Sequence, residues 1–265
     1  MTTALTIAGS DPTGGAGIQA DLQTFASLGV HGAAAVTALT VQDTRAVHAC
    51  QPLASEQVAE QLRALLADVC VAAAKTGMLA GADTVHVVAR HLTESSTIPL
   101  VVDPVTVSTS GRALLTPEGV DALRDVILPR ATLVTPNLAE AEALTGLRIA
   151  SLDDMRLAGE CLLELGAGAA MVKGGHSDGD PIDVFVDADG HVELAAERVP
   201  LRVAAHGTGC VLSAAITALL ARDVALRDAV AMAKEYLTEG LRHARYIGDG
   251  APVINFDAAS RALDL

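Results

Sequence analysis

Short apolar runs recur along this chain, each followed by a polar turn and then by a stretch with apolar positions three and four apart. The runs are Ala4–Ala8, Ala33–Val41, Val71–Thr76, Leu100–Val102, Thr132–Val134 and Ala169–Val172. Their length and β-branched content predict buried strands. Helical patterns lie between them at Ile18–Leu28, Ser55–Ala67 and Asp83–Leu92, and in the second of these Val58, Leu62, Leu65 and Leu66 share one side. Thr116-Pro117-Glu118 reads as a helix start, with a capping threonine ahead of a proline at the first helical position. Another helix is expected from Leu138, and Ser151-Leu152-Asp153-Asp154 has the form of a capping box for the next. The rhythm changes at Ile182–Val186 and His191–Leu194, which flank Asp189-Gly190 and predict a hairpin. Two last helices are expected, one running from Cys210 through Leu220 and one over Leu226–Arg245, before a loop with a short helical end. Repeated strand and helix units predict an α/β fold of three layers, its central sheet mostly parallel with a small antiparallel hairpin. No repeat or linker-like run interrupts the pattern, so residues 1–265 are expected to form one domain.

Composition sharpens this picture. Half of the residues are hydrophobic (51%), yet aromatics make up only 2% and tryptophan is absent, so the core must be built from Ala, Val, Leu and Ile, as in a parallel sheet covered by alanine-rich helices. The net charge of −14 argues against nucleic acid or an anionic membrane as partner. It leaves a phosphate ligand open, because local backbone amides can overrule global charge. Cys50, Cys70, Cys161 and Cys210 are far apart, without metal-ligand spacing. No apolar run approaches the roughly 20 residues that span a bilayer, and the start of the chain lacks a basic leader. The expectation is a cytoplasmic protein with reduced thiols.

The candidate chemistry gathers in loops. His206-Gly207-Thr208-Gly209-Cys210 opens into a helix, where free amides make an oxyanion site and the helix N-terminus can depress the pKa of the Cys210 thiol. Taken alone, the same loop fits a simple turn with Cys210 as a small buried residue. A second glycine loop, Gly9 to Gly17, follows the first strand, but it has neither the spacing of a dinucleotide fingerprint nor the Lys of a P-loop. In an open parallel sheet, ligands bind at the carboxyl ends of the strands, and those ends carry Gly9-Ser10-Asp11, Gln42, Met78, Asp103, Thr135 to Asn137, and Lys173. These types suit phosphoryl transfer. Lys173 can face phosphate oxygens, and Asp103, Asn137 and Glu140 can hold hydrated Mg²⁺. The amides of Gly207, Thr208, Gly209 and Cys210 can stabilise the transferred group, with the Cys210 thiolate as proton acceptor. Structural roles compete for several of them: Asn137 as a helix N-cap, Asp103 before Pro104 as a turn residue, and Glu140 as an exposed charge favoured at a helix start.

Seven segments identify a family. They are Ala8-Gly9-Ser10-Asp11 with Gly14 to Asp21, Thr40-Val41-Gln42, Lys75-Thr76-Gly77-Met78-Leu79, Val102-Asp103-Pro104-Val105, Thr135 to Ala141, Val172-Lys173-Gly174-Gly175-His176, and His206 to Cys210. In this order, from residue 4 to about 255, they resemble the hydroxymethylpyrimidine/phosphomethylpyrimidine kinases of thiamine biosynthesis, within the ribokinase-like superfamily. The resemblance implies two successive phosphorylations of 4-amino-5-hydroxymethyl-2-methylpyrimidine, with ATP and Mg²⁺, by a homodimer. It places Gln42, Asp21 and Gly9 at the aminopyrimidine, with Met78 and Val105 on the ring. Lys173, Asp103, Thr135, Asn137 and Glu140 fall on the nucleotide and its Mg²⁺, and Cys210 becomes the base where many sugar-kinase relatives carry Asp. Thr106, Ser108 and Asp43 depart from the family pattern beside these loops and bear on selectivity. Three rival readings remain: a pyridoxal or pyridoxine kinase of the same superfamily, a cysteine hydrolase using His206, and a ligand sensor without turnover.

Overall fold

A computed structural model describes residues 1–94, 97–108, 111–175 and 181–263. Its sheet runs β3-β2-β1-β4-β5-β6-β7-β8-β9. The strands are β1 Thr3–Ser10, β2 His31–Gln42, β3 Val47–Pro52, β4 Ala73–Thr76, β5 Leu100–Val102, β6 Leu133–Val134, β7 Ala170–Val172, β8 Ile182–Asp187 and β9 Gly190–Ala195. From β2 through β7 every neighbouring pair is parallel, while β3, β8 and β9 pair antiparallel. The expected hairpin is there, with Asp187 opposite Gly190. The pattern of the sequence did not foresee β3, a short edge strand that is largely exposed and so carries no alternation of buried and open positions.

The helices are α1 Gly17–Ser27, α2 Ser55–Asp68, α3 Ala82–Glu94, α4 Pro117–Ala122, α5 Leu138–Thr145, α6 Leu152–Glu164, α7 Thr208–Ala221, α8 Leu226–Arg242 and α9 Phe256–Arg261. Local chemistry sets their starts. Thr116 accepts from the Gly119 amide, Ser151 from that of Asp154, and Asn137 shares a reciprocal capping box with Glu140. Helix α8 stops three residues before the expected Arg245, because Arg245 turns away into an antiparallel bridge with Val253.

Alternation along the strands divides the core in two. Ile7, Val102, Val134 and Val172 point to one face, against Val58, Leu62, Val88, Leu144 and Leu162 of α2, α3, α5 and α6. Ala4, Val101, Leu133 and Met171 point to the other, against Phe25 of α1 and the inner sides of α7 and α8. Helix α7 is buried on nearly every side. Its small residues Ala214, Ala215 and Ala218 allow that burial, which is where the alanine-rich, aromatic-poor composition is used. No helix among the described residues is long and apolar enough to cross a membrane.

The starts of α1 and α7 meet above the carboxyl ends of the parallel strands. Gly207, the residue before α7, has φ +76°, and a Cβ there would stand 1.9 Å from the Gly15 carbonyl oxygen. Gly17, at φ +57°, would place a Cβ 2.4 Å from the carbonyl oxygen of Gly9. Both positions therefore need glycine for its left-handed backbone and for lack of room. Gly207→Ala is expected to cost about 1–3 kcal/mol, read as a lower denaturant midpoint at unchanged slope.

Candidate active site

A cavity of about 550 Å³ lies at the strand ends, within the size range of small-molecule sites. Gly9, Gln42, Met78, Val105, Asp103, Asn137, Glu140 and Lys173 line it, together with the loop His206 to Cys210. Most of the residues singled out by sequence thus converge, although they come from seven segments of the chain. His176, the last residue of the lysine motif, lies outside the described residues.

One end is built for an anion. Gly207 has no side chain with which to cap α7, so the first amides of that helix lack an intrahelical partner. Lys173 is carried there by a parallel bridge that extends β7 beside Asn137, and its amide donates to the Pro136 carbonyl at 2.8 Å. Its ammonium donates to Asp103 at 3.0 Å. A Cβ on Gly209 would stand 3.1 Å from Lys173 Nζ and 3.7 Å from an Asp103 oxygen, so the ion pair lies directly under the helix start. Burial would pull the Lys173 ammonium down in pKa, but Asp103 and Glu140 outweigh it and hold it above its ordinary value.

Glu140 is itself buried. Burial pushes its carboxyl up to about 7 against the pull of Lys173, with Asp103 adding to the rise. The Asn137 amide donates to Glu140 Oε2 at 2.8 Å while the Asn137 side chain accepts from the Glu140 amide. Asn137 thus caps the helix and still lines the cavity, as Glu140 does. No group of three or more His, Cys, Asp or Glu among the described residues forms a ready metal cluster. The donors fit a cation that keeps its own waters and takes only one or two carboxylates from the protein.

The other end is shaped for a flat ring. Met78, Val105 and Leu114 border it, with Ala38 packed behind them. Gln42 Nε2 lies 2.6 Å from His206 Nε2, which is also 2.9 Å from Asp11 Oδ2. Burial opposes ionisation of Asp11, but hydrogen bonds from His206 and Thr13 outweigh it and hold the carboxyl below its usual range. Beyond the anion site, Val199, Leu201, Leu237 and Leu241 give a third, apolar region.

Three expectations are corrected. Asp21 does not reach the cavity: it is fully buried, with Oδ1 taken by Lys75 at 2.8 Å and Oδ2 by Thr6 at 2.6 Å. Thr135 is likewise fully buried and absent from the lining, its hydroxyl 3.4 Å from the Val102 carbonyl oxygen and 3.5 Å from Asp103. It backs Asp103 from behind the cavity wall. Cys210 does line the cavity, but its thiol is not acidified. Burial pushes it up to about 12; Lys75 and the Gly17 amide pull it down, while Asp103 and Asp21 add to the rise.

Sequence reasoning missed two features of the lining. His206, which reads from sequence as the base of a cysteine hydrolase, joins Asp11 to Gln42. The second is the pair Lys234–Asp183, at 2.5 Å. Its signal was present: Val230, Lys234, Leu237 and Leu241 follow helical spacing on the inner side of α8, and a lysine in such a stripe is out of place.

Known proteins resemble this chain along nearly its whole length. The sequence model described as Phosphomethylpyrimidine kinase matches residues 11–255. The hydroxymethylpyrimidine/phosphomethylpyrimidine kinase of Rhizobium meliloti is 48% identical over 258 residues, covering 96% of each chain. The thiamine biosynthesis bifunctional protein ThiED of Geobacter sulfurreducens is 43% identical over 95% of this chain, which spans 51% of that protein. Among solved structures, an ADP complex of Bacillus subtilis pyridoxal kinase superposes with a TM-score of 0.90 at 34% identity, covering 97% of this chain and 98% of that one.

Proposed function

The chain belongs to the phosphomethylpyrimidine kinase family, and from that premise we propose how its cavity works. It is a phosphotransferase that phosphorylates 4-amino-5-hydroxymethyl-2-methylpyrimidine and then the resulting monophosphate, in thiamine diphosphate biosynthesis. The observation that carries the reading is the meeting, in one cavity, of an amide-bearing ring site at Gln42 with the uncapped start of α7 over Lys173–Asp103.

The nucleotide enters with its base against Leu237 and Leu241 and its phosphates toward Lys173. The substrate hydroxyl attacks the terminal phosphorus; the new O–P bond forms as the bond to the bridging oxygen of ADP breaks. Amides of Thr208, Gly209 and Cys210 stabilise charge on the transferred oxygens. Asn137, Glu140 and Asp103 would hold hydrated Mg²⁺, which neutralises phosphate charge when bound. Gln42 offers donor and acceptor to the aminopyrimidine edge, while Gly9, Met78 and Val105 enclose the ring. Cys210 receives the hydroxyl proton. With the thiol pushed up to about 12, its competent form is a scarce thiolate facing Lys75, so turnover should climb with pH across the neutral range.

The cytoplasm suits this reading, since ATP is available there and the four cysteines are unpaired. A homodimer suits it as well: β2 leaves Leu39 and Val41 about half exposed or more, at alternate positions on one side of the strand. A second reading, pyridoxal kinase, draws on the TM-score of 0.90 to such an enzyme. The higher identity to the pyrimidine kinases favours the first.

Four outcomes test the proposal. With Mg-ATP, both the pyrimidine alcohol and its monophosphate should be phosphorylated faster than pyridoxal; preference for pyridoxal would reassign the substrate. In the same assay Cys210→Ala should fold and bind the alcohol but lose about 100-fold or more in turnover, and Cys210→Asp should flatten the pH dependence. Because Glu140 must ionise to serve a cation, the KM for Mg-ATP should fall as pH rises through about 7, and Glu140→Gln should lose that dependence. Sedimentation equilibrium should show a dimer that Val41→Asp shifts toward monomer.

A further inference from the structure

His206 Nε2 faces two groups at hydrogen-bonding distance, and only one assignment of donor and acceptors serves both. Asp11 is a carboxylate saturated with donors. Oδ1 accepts from the Thr13 amide at 2.9 Å, and Oδ2 accepts from the Thr13 hydroxyl at 2.9 Å and the Ala16 amide at 2.9 Å. An ionised carboxylate only accepts. The imidazole nitrogen 2.9 Å from Oδ2 must therefore carry its hydrogen, since a bare Nε2 would set a lone pair against the carboxylate. Once Nε2 is a donor, the Gln42 terminus 2.6 Å away has to be an acceptor. The two termini of an amide have the same shape and are told apart by their partners. An amide nitrogen at that place would oppose its hydrogens to Nε2–H; a half-turn of the amide places Oε1 there and resolves the conflict.

We propose that Asp11 and His206 are positioning residues for specificity: they hold the Gln42 amide with its oxygen on His206 and its NH₂ toward the ring site. The site then selects a heterocycle that offers a ring nitrogen as acceptor, next to an exocyclic amine that can reach the remaining lone pair of Oε1. A ring presenting a CH at the acceptor position leaves an amide hydrogen unpaired, which costs a buried hydrogen bond. The choice of ring is thus set 195 residues away in sequence from His206, by the loop that Asp11 anchors. The identity of the heterocycle rests on the pyrimidine reading above; the orientation of the amide does not.

Two measurements on the full-length protein decide it. The ¹⁵N resonances of the His206 imidazole should show Nε2 protonated; a bare Nε2 overturns the proposal whatever the substrate. In kinetics, the wild type should discriminate against an analogue of the pyrimidine alcohol whose ring nitrogen beside the amino-bearing carbon is replaced by CH. In His206→Phe, kcat/KM for the alcohol should fall roughly tenfold or more, mainly through KM, and discrimination against the analogue should collapse, with the KM for Mg-ATP unchanged. Retained discrimination would overturn the positioning role. Should that variant not fold, Gln42→Met, which keeps the chain length without the amide, must lose the same discrimination. If the wild type phosphorylates neither ring, the pyrimidine reading fails and the tautomer alone decides the amide orientation.

Discussion

The contact between Gly207 and the Gly15 carbonyl holds this site together. It brings the start of α7 onto the loop before α1 with no space for a side chain between them. Several consequences depend on that approach. His206 reaches Asp11 and Gln42, the Gly17 amide points to Cys210, and the uncapped amides of α7 come to lie over Lys173 and Asp103. A methyl group at either point would separate two halves of the cavity that are almost the whole chain apart. Neither loop makes a site alone; the interlock does.

Charge is managed in the same local way. The protein carries a net charge of −14 yet has to accept a polyanion. Three buried or nearly buried lysines, Lys75, Lys173 and Lys234, are each held by one aspartate: Asp21 at 2.8 Å, Asp103 at 3.0 Å and Asp183 at 2.5 Å. An unpaired buried ammonium would be strongly destabilising, whereas a pair keeps the cation in place at little net charge. Lys173 and Lys234 border the cavity; Lys75 sits beneath it, where its field acts on Cys210.

Cys210 shows how magnitudes decide between two sound arguments. A helix N-terminus stabilises a negative charge by about 0.3–1 kcal/mol. Moving a thiol from 9.0 to about 12 corresponds to roughly 4 kcal/mol. Desolvation therefore wins, and the resting residue is a neutral thiol despite its position at the start of α7. The effect that could be read from sequence was the smaller one, because burial is not written in local spacing.

The sequence by itself determined the layered α/β plan, the strand ends that carry Gln42, Met78, Asp103, Asn137 and Lys173, and the family. Apolar alternation, glycine loops and helix caps are local patterns, and they reach the surface of the text because each acts within a few residues. What only the tertiary structure decided is who faces whom. Asp21 resembled a ligand-binding carboxylate until Lys75, 54 residues on, was found to occupy it. Thr135 proved to be a support for Asp103, and β3 formed because β2 offered it an edge rather than through any pattern of its own. A hydrogen bond or ion pair between distant segments leaves no periodic trace in the chain, and it is these pairings that turn a set of polar strand ends into one cavity.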